Sequence, residues 1–212
     1  MIGACIALAA MITPQSASVA DYFPLREGDE WVYEEVTRGR SRETFTDTVG
    51  ETIEIAGAPA TAIVTTGADG SKEATYYRVV NDKVFVIAFD PKNPIKNGYA
   101  IIDFSAPRNK WDFLGETNFM GAKASLDLKG TWKKAGTREI DGVKRELIEV
   151  TLDAVVVDEE ASGATGMAVG VKNKQTSIYA NGIGLIEMRQ EAQMGRSKAE
   201  IVRTLRKFTP KT

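Results

Sequence analysis

Ile148-Glu149-Val150-Thr151-Leu152-Asp153-Ala154 alternates apolar and polar side chains at every step, and Val155-Val156 extends the run. A period of two puts Ile148, Val150, Leu152, Ala154 and Val156 on one face of an extended chain, with Glu149, Thr151 and Asp153 on the other; a helix would need a period of 3.6. The segment is therefore a half-buried β-strand. Ala122, Ala124, Leu126 and Leu128 repeat the pattern opposite Lys123, Ser125, Asp127 and Lys129, and the run continues to Trp132.

Further strands are expected at Glu30 to Thr37, Glu43 to Ile55, Ala60 to Thr66, Lys72 to Val80, Lys83 to Phe89, Tyr99 to Phe104, Met167 to Tyr179, Leu185 to Glu191 and Ala199 to Phe208. Turn-forming pairs such as Asp69-Gly70, Asn81-Asp82, Asp141-Gly142 and Asn181-Gly182 separate many of them, which is hairpin chemistry. Nothing beyond Asp21 joins a cap, a 3.6 period and more than about ten residues, as an ordinary helix would. The pattern predicts an all-β fold: one antiparallel meander of about eleven strands, forming a curved sheet, half-barrel or barrel.

The 212 residues are 43% hydrophobic and 26% charged, with 7 prolines, which excludes collagen-like and wholly disordered chains. A net charge of -2 gives no general field toward nucleic acid or anionic lipid. There is no histidine. Ser-His-Asp and Cys-His nucleophile systems, histidine-bearing zinc sites and histidine pH switches are thereby removed.

The first twenty residues carry no charge, open with the apolar run Ile2 to Ile12 and end Ala17-Ser18-Val19-Ala20. This reads as a signal peptide cut after Ala20, leaving residues 21–212 as a single β domain that is periplasmic or secreted. The apolar run is too short to span a bilayer, and no membrane span is expected elsewhere. Cys5, the sole cysteine, would leave with the leader; Ile2-Gly3-Ala4-Cys5 only loosely matches a lipidation motif.

Tyr22-Phe23-Pro24-Leu25-x-x-Gly28-x-x-Trp31-x-Tyr33 resembles the opening of exported bacterial domains of unknown function, and Tyr179-Ala180-Asn181-Gly182-Ile183-Gly184-Leu185-Ile186 resembles the hairpin that closes them. In pattern these domains are similar to the lipoprotein-carrier folds of the cell envelope. The resemblance implies a curved antiparallel sheet around an apolar cavity. A weaker internal echo links the stretch from Asp21 to Tyr33 with that from Asp103 to Phe113: each runs from an aromatic through a proline to a tryptophan that introduces a strand.

Catalytic motifs are missing. There is no G-x-S-x-G, S-x-x-K or phosphate-binding glycine loop, and Glu187 stands where a dinucleotide fingerprint after Gly182 and Gly184 would need its last glycine. Asp158-Glu159-Glu160 offers oxygens to Ca²⁺ but reads more simply as a solvated loop, so no metal and no cofactor are expected. Arg38, Arg40 and Arg42 surround the first hairpin turn and Arg203 and Arg206 lie in the last strand, so closure of a barrel would assemble them into one basic rim, or leave them as charged strands that resist aggregation. Val84 to Phe89 is apolar at every position, so a second apolar face needs cover from a ligand, a partner or the sheet itself.

The leading expectation is an exported, non-catalytic binding protein that holds an apolar or amphipathic, lipid-like molecule, with Trp31, Tyr33, Phe85, Trp111 and Trp132 in the walls of the concavity. The alternative is a structural or interaction protein of the envelope that docks a protein partner by a sheet edge or the basic rim. A hydrolase using Asp or Glu stands third.

Overall fold

The computed structural model describes residues 17–38, 42–119, 122–158 and 169–211. Twelve strands follow a four-residue helix, α1 (Val19–Tyr22): β1 (Glu30–Thr37), β2 (Arg42–Ile55), β3 (Ala58–Thr66), β4 (Lys72–Val80), β5 (Lys83–Ala88), β6 (Tyr99–Asp103), β7 (Lys110–Phe119), β8 (Ala122–Ile140), β9 (Val143–Asp158), β10 (Val169–Ala180), β11 (Gly184–Met194) and β12 (Ser197–Thr209). A single 3-10 turn, Pro107–Asn109, joins β6 to β7. Among the described residues no helix is long and apolar enough to cross a membrane.

All twelve strands form one antiparallel sheet in the order β6-β5-β4-β3-β2-β1-β12-β11-β10-β9-β8-β7. Every hairpin neighbour pairs except β6 with β7, and the first strand pairs with the last along eight residues, from Glu30 opposite Thr209 to Thr37 opposite Ile201. The sheet is thus a nearly closed barrel with one incomplete seam, in agreement with the expected all-β meander. The strand order also falls into two sets of six, β1 to β6 and β7 to β12, each introduced by one of the echoed tryptophans, Trp31 and Trp111.

Three two-residue turns, Ala56-Gly57, Asn81-Asp82 and Asp141-Gly142, all with positive φ, have the twist that suits a tight hairpin. They sit at the same end of the barrel as α1 and the 3-10 turn. That end is plugged. Val19 is 1% exposed and Tyr22 and Phe23 are buried with it, packed on Val84, Ile102, Ile148, Val150 and Tyr179. Ser18 caps α1 by accepting from the Ala20 N–H, Asp21 returns the bond to the Ser18 N–H, and the Asp21 carbonyl accepts from Gly182 at 2.6 Å. Of the expected leader, residues 1–16 lie outside the described residues, while Val19 belongs to the core of the plug.

β7 was given no range among the expected strands, although the echo placed the start of a strand at Trp111. Its Trp111 and Phe113 follow the inward period, but Leu114 faces solvent at 82% exposure and the next inward position is Gly115, so the apolar pattern breaks after four residues. The hairpin of β8 and β9 also runs farther than expected, through Lys133 to Leu147, where a register shift between Lys134 and Thr137 interrupts the ladder.

Candidate functional site

Above the plug lies a cavity of about 450 Å³ to which every one of the twelve strands contributes. Its floor is Phe23, Pro24, Trp31 and Leu185. Leu126, Leu128, Leu152, Ala154 and Val156, the inward residues of β8 and β9, make one apolar wall. The facing wall, on β1 to β3 and β12, is different: it carries Asp47, Thr65 and Arg203 beside Tyr33 and Ile63.

The charges on that wall are unevenly matched. Thr65 Oγ1 donates to Asp47 Oδ1 at 2.6 Å across the β2–β3 ladder. Arg203 directs both Nε, at 2.9 Å, and Nη2, at 2.8 Å, to Oε2 of Glu35, its ladder partner on β1. Its Nη1 lies 3.7 Å from Asp47 Oδ2, beyond good hydrogen-bond length. The guanidinium also lies over the rings of Tyr33 and Phe45, with Cζ 5.6 and 5.4 Å from the two centroids. Burial pushes the Asp47 carboxyl above the ordinary aspartate range, against the opposing pull of Thr65 and Arg203.

Four tyrosines line the space. Burial raises Tyr99 and Tyr179 to about 12 and pushes Tyr33 and Tyr77 well above the ordinary phenol. Their hydroxyls are neutral donors at physiological pH, and Tyr33 is held by donating to the Leu185 carbonyl at 2.9 Å. On β10, Asn173 and Gln175 complete the polar lining; the side-chain oxygen of Asn173 is buried without a donor.

The expected wall residues separate into two groups. Trp31 and Tyr33 line the cavity, the indole N–H of Trp31 donating to the Ile183 carbonyl at 2.6 Å. Gly184 sits at φ +98°, a conformation that L side chains resist, and a Cβ there would come into van der Waals contact with Pro24 and the Trp31 ring. Phe85, Trp111 and Trp132 are outside the lining. Phe85 packs with Ile55, Ala60, Ile87 and Ala88. There Ile95, from the connection between β5 and β6, donates its backbone N–H to the Ile87 carbonyl at 2.8 Å and is 5% exposed, so the chain covers this second apolar cluster itself. Trp132 sits against Phe104 in the plug with ring centroids 4.6 Å apart. Trp111 spans the incomplete seam, donating to the Ala100 carbonyl of β6 at 2.9 Å. Gly130 lies opposite it on β8, and a Cβ there would occupy the indole's position.

The expected rim arginines are dispersed. Arg203 faces inward on Glu35; Arg206 and Arg42 both approach Glu34, at 2.6 and 3.4 Å; and Arg38 lies 3.9 Å from Glu200. Each of these four arginines has an acidic neighbour, Arg206 and Arg42 sharing Glu34, and Arg40 lies outside the described residues, as do Glu159 and Glu160 of the acidic run. A larger depression, about 620 Å³, lies over β8 to β12 and is lined mainly by charged side chains. Its charges answer one another: Lys129 and Lys174 flank Asp153 in register, and Arg189 meets Glu200 at 2.6 Å. That is the pattern of a solvated face.

Sequence reasoning missed Asp47 and placed Arg203 on a basic rim, whereas Arg203 lines the cavity. The signal was present: Asp47 shares its strand face with Phe45 and Val49, and Arg203 shares its face with Ile201 and Leu205. A charge at an apolar position marks an inward polar group.

The fold and cavity together define a class: a nearly closed, base-plugged β-meander enclosing a mixed apolar and polar space. Two solved structures share this fold. A candidate lipoprotein from Parabacteroides distasonis aligns over 92% of this chain and 100% of its own, with a TM-score of 0.55 and 12% identity. A candidate exported protein with a YmcC-like fold from Bacteroides fragilis aligns over 89% of this chain and 99% of its own, with a TM-score of 0.52 and 12% identity. No protein-family model matches the chain, and no curated protein does.

Proposed function

We propose that this chain is a non-catalytic binding protein of the cell envelope, periplasmic or secreted, that holds an apolar or amphipathic, lipid-like molecule inside the sheet. The observation that carries the reading is the cavity of about 450 Å³, which falls within the size range of small-molecule sites. An apolar wall on β8 and β9 faces a polar wall on β1 to β3 and β12, which suits a molecule with an apolar body and one polar end. The names of the two structural neighbours, a candidate lipoprotein and a candidate exported protein, support the compartment. The lack of histidine and of nucleophile motifs supports a binding role.

Native mass spectrometry of the protein purified from its own periplasm or medium, followed by organic extraction, tests this. A stoichiometric adduct, on the order of a few hundred daltons for a cavity of this size, is expected. Ala154→Phe, which projects a ring into the cavity, should lose it while the fold persists. An apo mass throughout, together with no uptake of added amphiphiles, would sink the reading and favour an interaction protein, for which exposed Leu114 on the open edge of β7 is the place to look.

A further inference from the structure

Resting on that binding reading, we infer that the occupant is a lipophilic cation: an amine or quaternary ammonium group on an apolar body, its head seated at Asp47. Three observations lead there. The first is charge. Arg203 commits two donors to Glu35, so among the three charged groups Glu35, Arg203 and Asp47 the Asp47 carboxylate is the one left without a close counter-ion. A buried charge in that position favours a ligand of opposite sign, because an anion would add to an existing negative excess.

The second is what surrounds the carboxylate. Trp31 is its ladder partner on β1, and Tyr33, Tyr77, Tyr99 and Tyr179 share the cavity. Aromatic faces attract organic cations, and a quaternary ammonium, weakly hydrated and unable to donate a hydrogen bond, is held best by such faces beside one carboxylate. The wall already holds a cation in this way, since the Arg203 guanidinium lies over Tyr33 and Phe45. The third is hydrogen bonding. Asp47 Oδ2 has only the distant Arg203 contact and the Asn173 side-chain oxygen has no donor, so the cavity presents acceptors short of donors. A protonated amine supplies donors; a quaternary head answers the carboxylate by charge alone, and a carboxylate or phosphate head supplies neither.

The test compares three probes with one apolar body and different heads: dodecyltrimethylammonium, 1-dodecanol and dodecyl sulfate. Each is titrated below its micelle-forming concentration, with displacement of the neutral dye N-phenyl-1-naphthylamine as the readout. The cation should bind at least about tenfold more tightly than the alcohol, which one cation–π contact and one buried charge pair would supply, and the sulfate should bind most weakly. In Asp47→Asn, which keeps the acceptor for Thr65, the gap between cation and alcohol should fall to within about twofold. If the alcohol and the cation bind alike, or the sulfate binds best, the cavity still binds amphiphiles but this assignment is overturned. A cation preference that survives Asp47→Asn assigns it to the general negative surface and also overturns the inference. Failure of all three probes to displace the dye, or of the dye to bind, removes the binding reading itself.

Discussion

The barrel has two places where its halves meet, and they are built differently. Where β1 meets β12, the first and last strands of the sheet share eight ladder pairs, from Glu30 with Thr209 to Thr37 with Ile201, with Arg203 on Glu35 inside and Arg206 on Glu34 outside. Where β6 meets β7, strands separated by only a short connection share no ladder; one indole hydrogen bond from Trp111 to Ala100 and one ring contact between Tyr99 and Phe113 bridge them. Sequence distance does not decide which seam closes. Strand length does: Pro91 and Pro94 lie in the connection that precedes Tyr99, β6 has five residues, and β7 has ten. Proline lacks the N–H that a ladder requires, so the upper part of β7 runs past the end of its would-be partner. The seam that lacks a ladder is the natural place for the wall of the cavity to yield.

The largest expected effect separates the two echoed tryptophans. Trp31→Ala deletes a ring that is 4% exposed, stacked on Phe208 and bonded to Ile183. It should cost about 3–5 kcal/mol in denaturant unfolding. Trp111→Ala, at the open seam and only partly buried, should cost about 1–3 kcal/mol. Should Trp31→Ala fail to fold, Trp31→Phe isolates the N–H bond at about 1–2 kcal/mol. Equal costs at the two positions would break the comparison.

Beneath both seams lies the plug, and it can be shortened from one end. A chain beginning at Asp21 lacks the buried Val19 side chain and the Ser18 cap that a chain beginning at Ala17 retains. The shorter form should be less stable by about 2–4 kcal/mol, the sum of one buried valine and one helix cap, read as a difference in denaturation midpoint at equal slope. Identical midpoints would show that the base holds without α1.

Gly130→Ala probes the open seam from the other side. Its methyl group would displace the Trp111 indole without removing it, so the cost should match Trp111→Ala, about 1–3 kcal/mol. The double variant should cost little more than either single one. Simple additivity would mean that the indole and Gly130 act independently.

The same contrast governs what could be read from the sequence. β9 was legible because Val150, Leu152, Ala154 and Val156 all point inward and its outward residues are mostly polar, and Trp31 and Tyr33 were legible as cavity residues because large rings two apart share a strand face. β7 was obscured because an edge strand need not bury both faces, which lets Leu114 point to water and Gly115 replace an inward side chain. Phe85 was assigned to the cavity because its strand is apolar throughout; the cause is Ile95, which covers the outer face from a connection whose path no periodicity encodes. Asp47 was passed over, and Arg203 was assigned to an outer rim, because charged residues in strands usually face solvent. Their ladder parity with Phe45, Val49, Ile201 and Leu205 shows otherwise, and parity is available from sequence once the strand is drawn.

The smallest effect is spectroscopic and returns to the seams through their tyrosines. Tyr99 touches Phe113 at the open seam and is raised to about 12 by burial. Tyr33 lies in the firm seam, pushed well above the ordinary phenol by burial, and its hydroxyl is fixed on the Leu185 carbonyl. A folded-state pKa above the unfolded value of 10 means that the neutral phenol contributes stability that is fully present below pH 10 and lost as pH rises through the folded value. Alkaline titration followed by phenolate absorbance should therefore show Tyr99 ionising near pH 12 by opening of the incomplete seam, ahead of global unfolding. Tyr33 should ionise only with unfolding. Tyr99→Phe should delete the earlier component and leave the unfolding step in place, whereas a titration in which the two tyrosines move together would mean that the seams open as one.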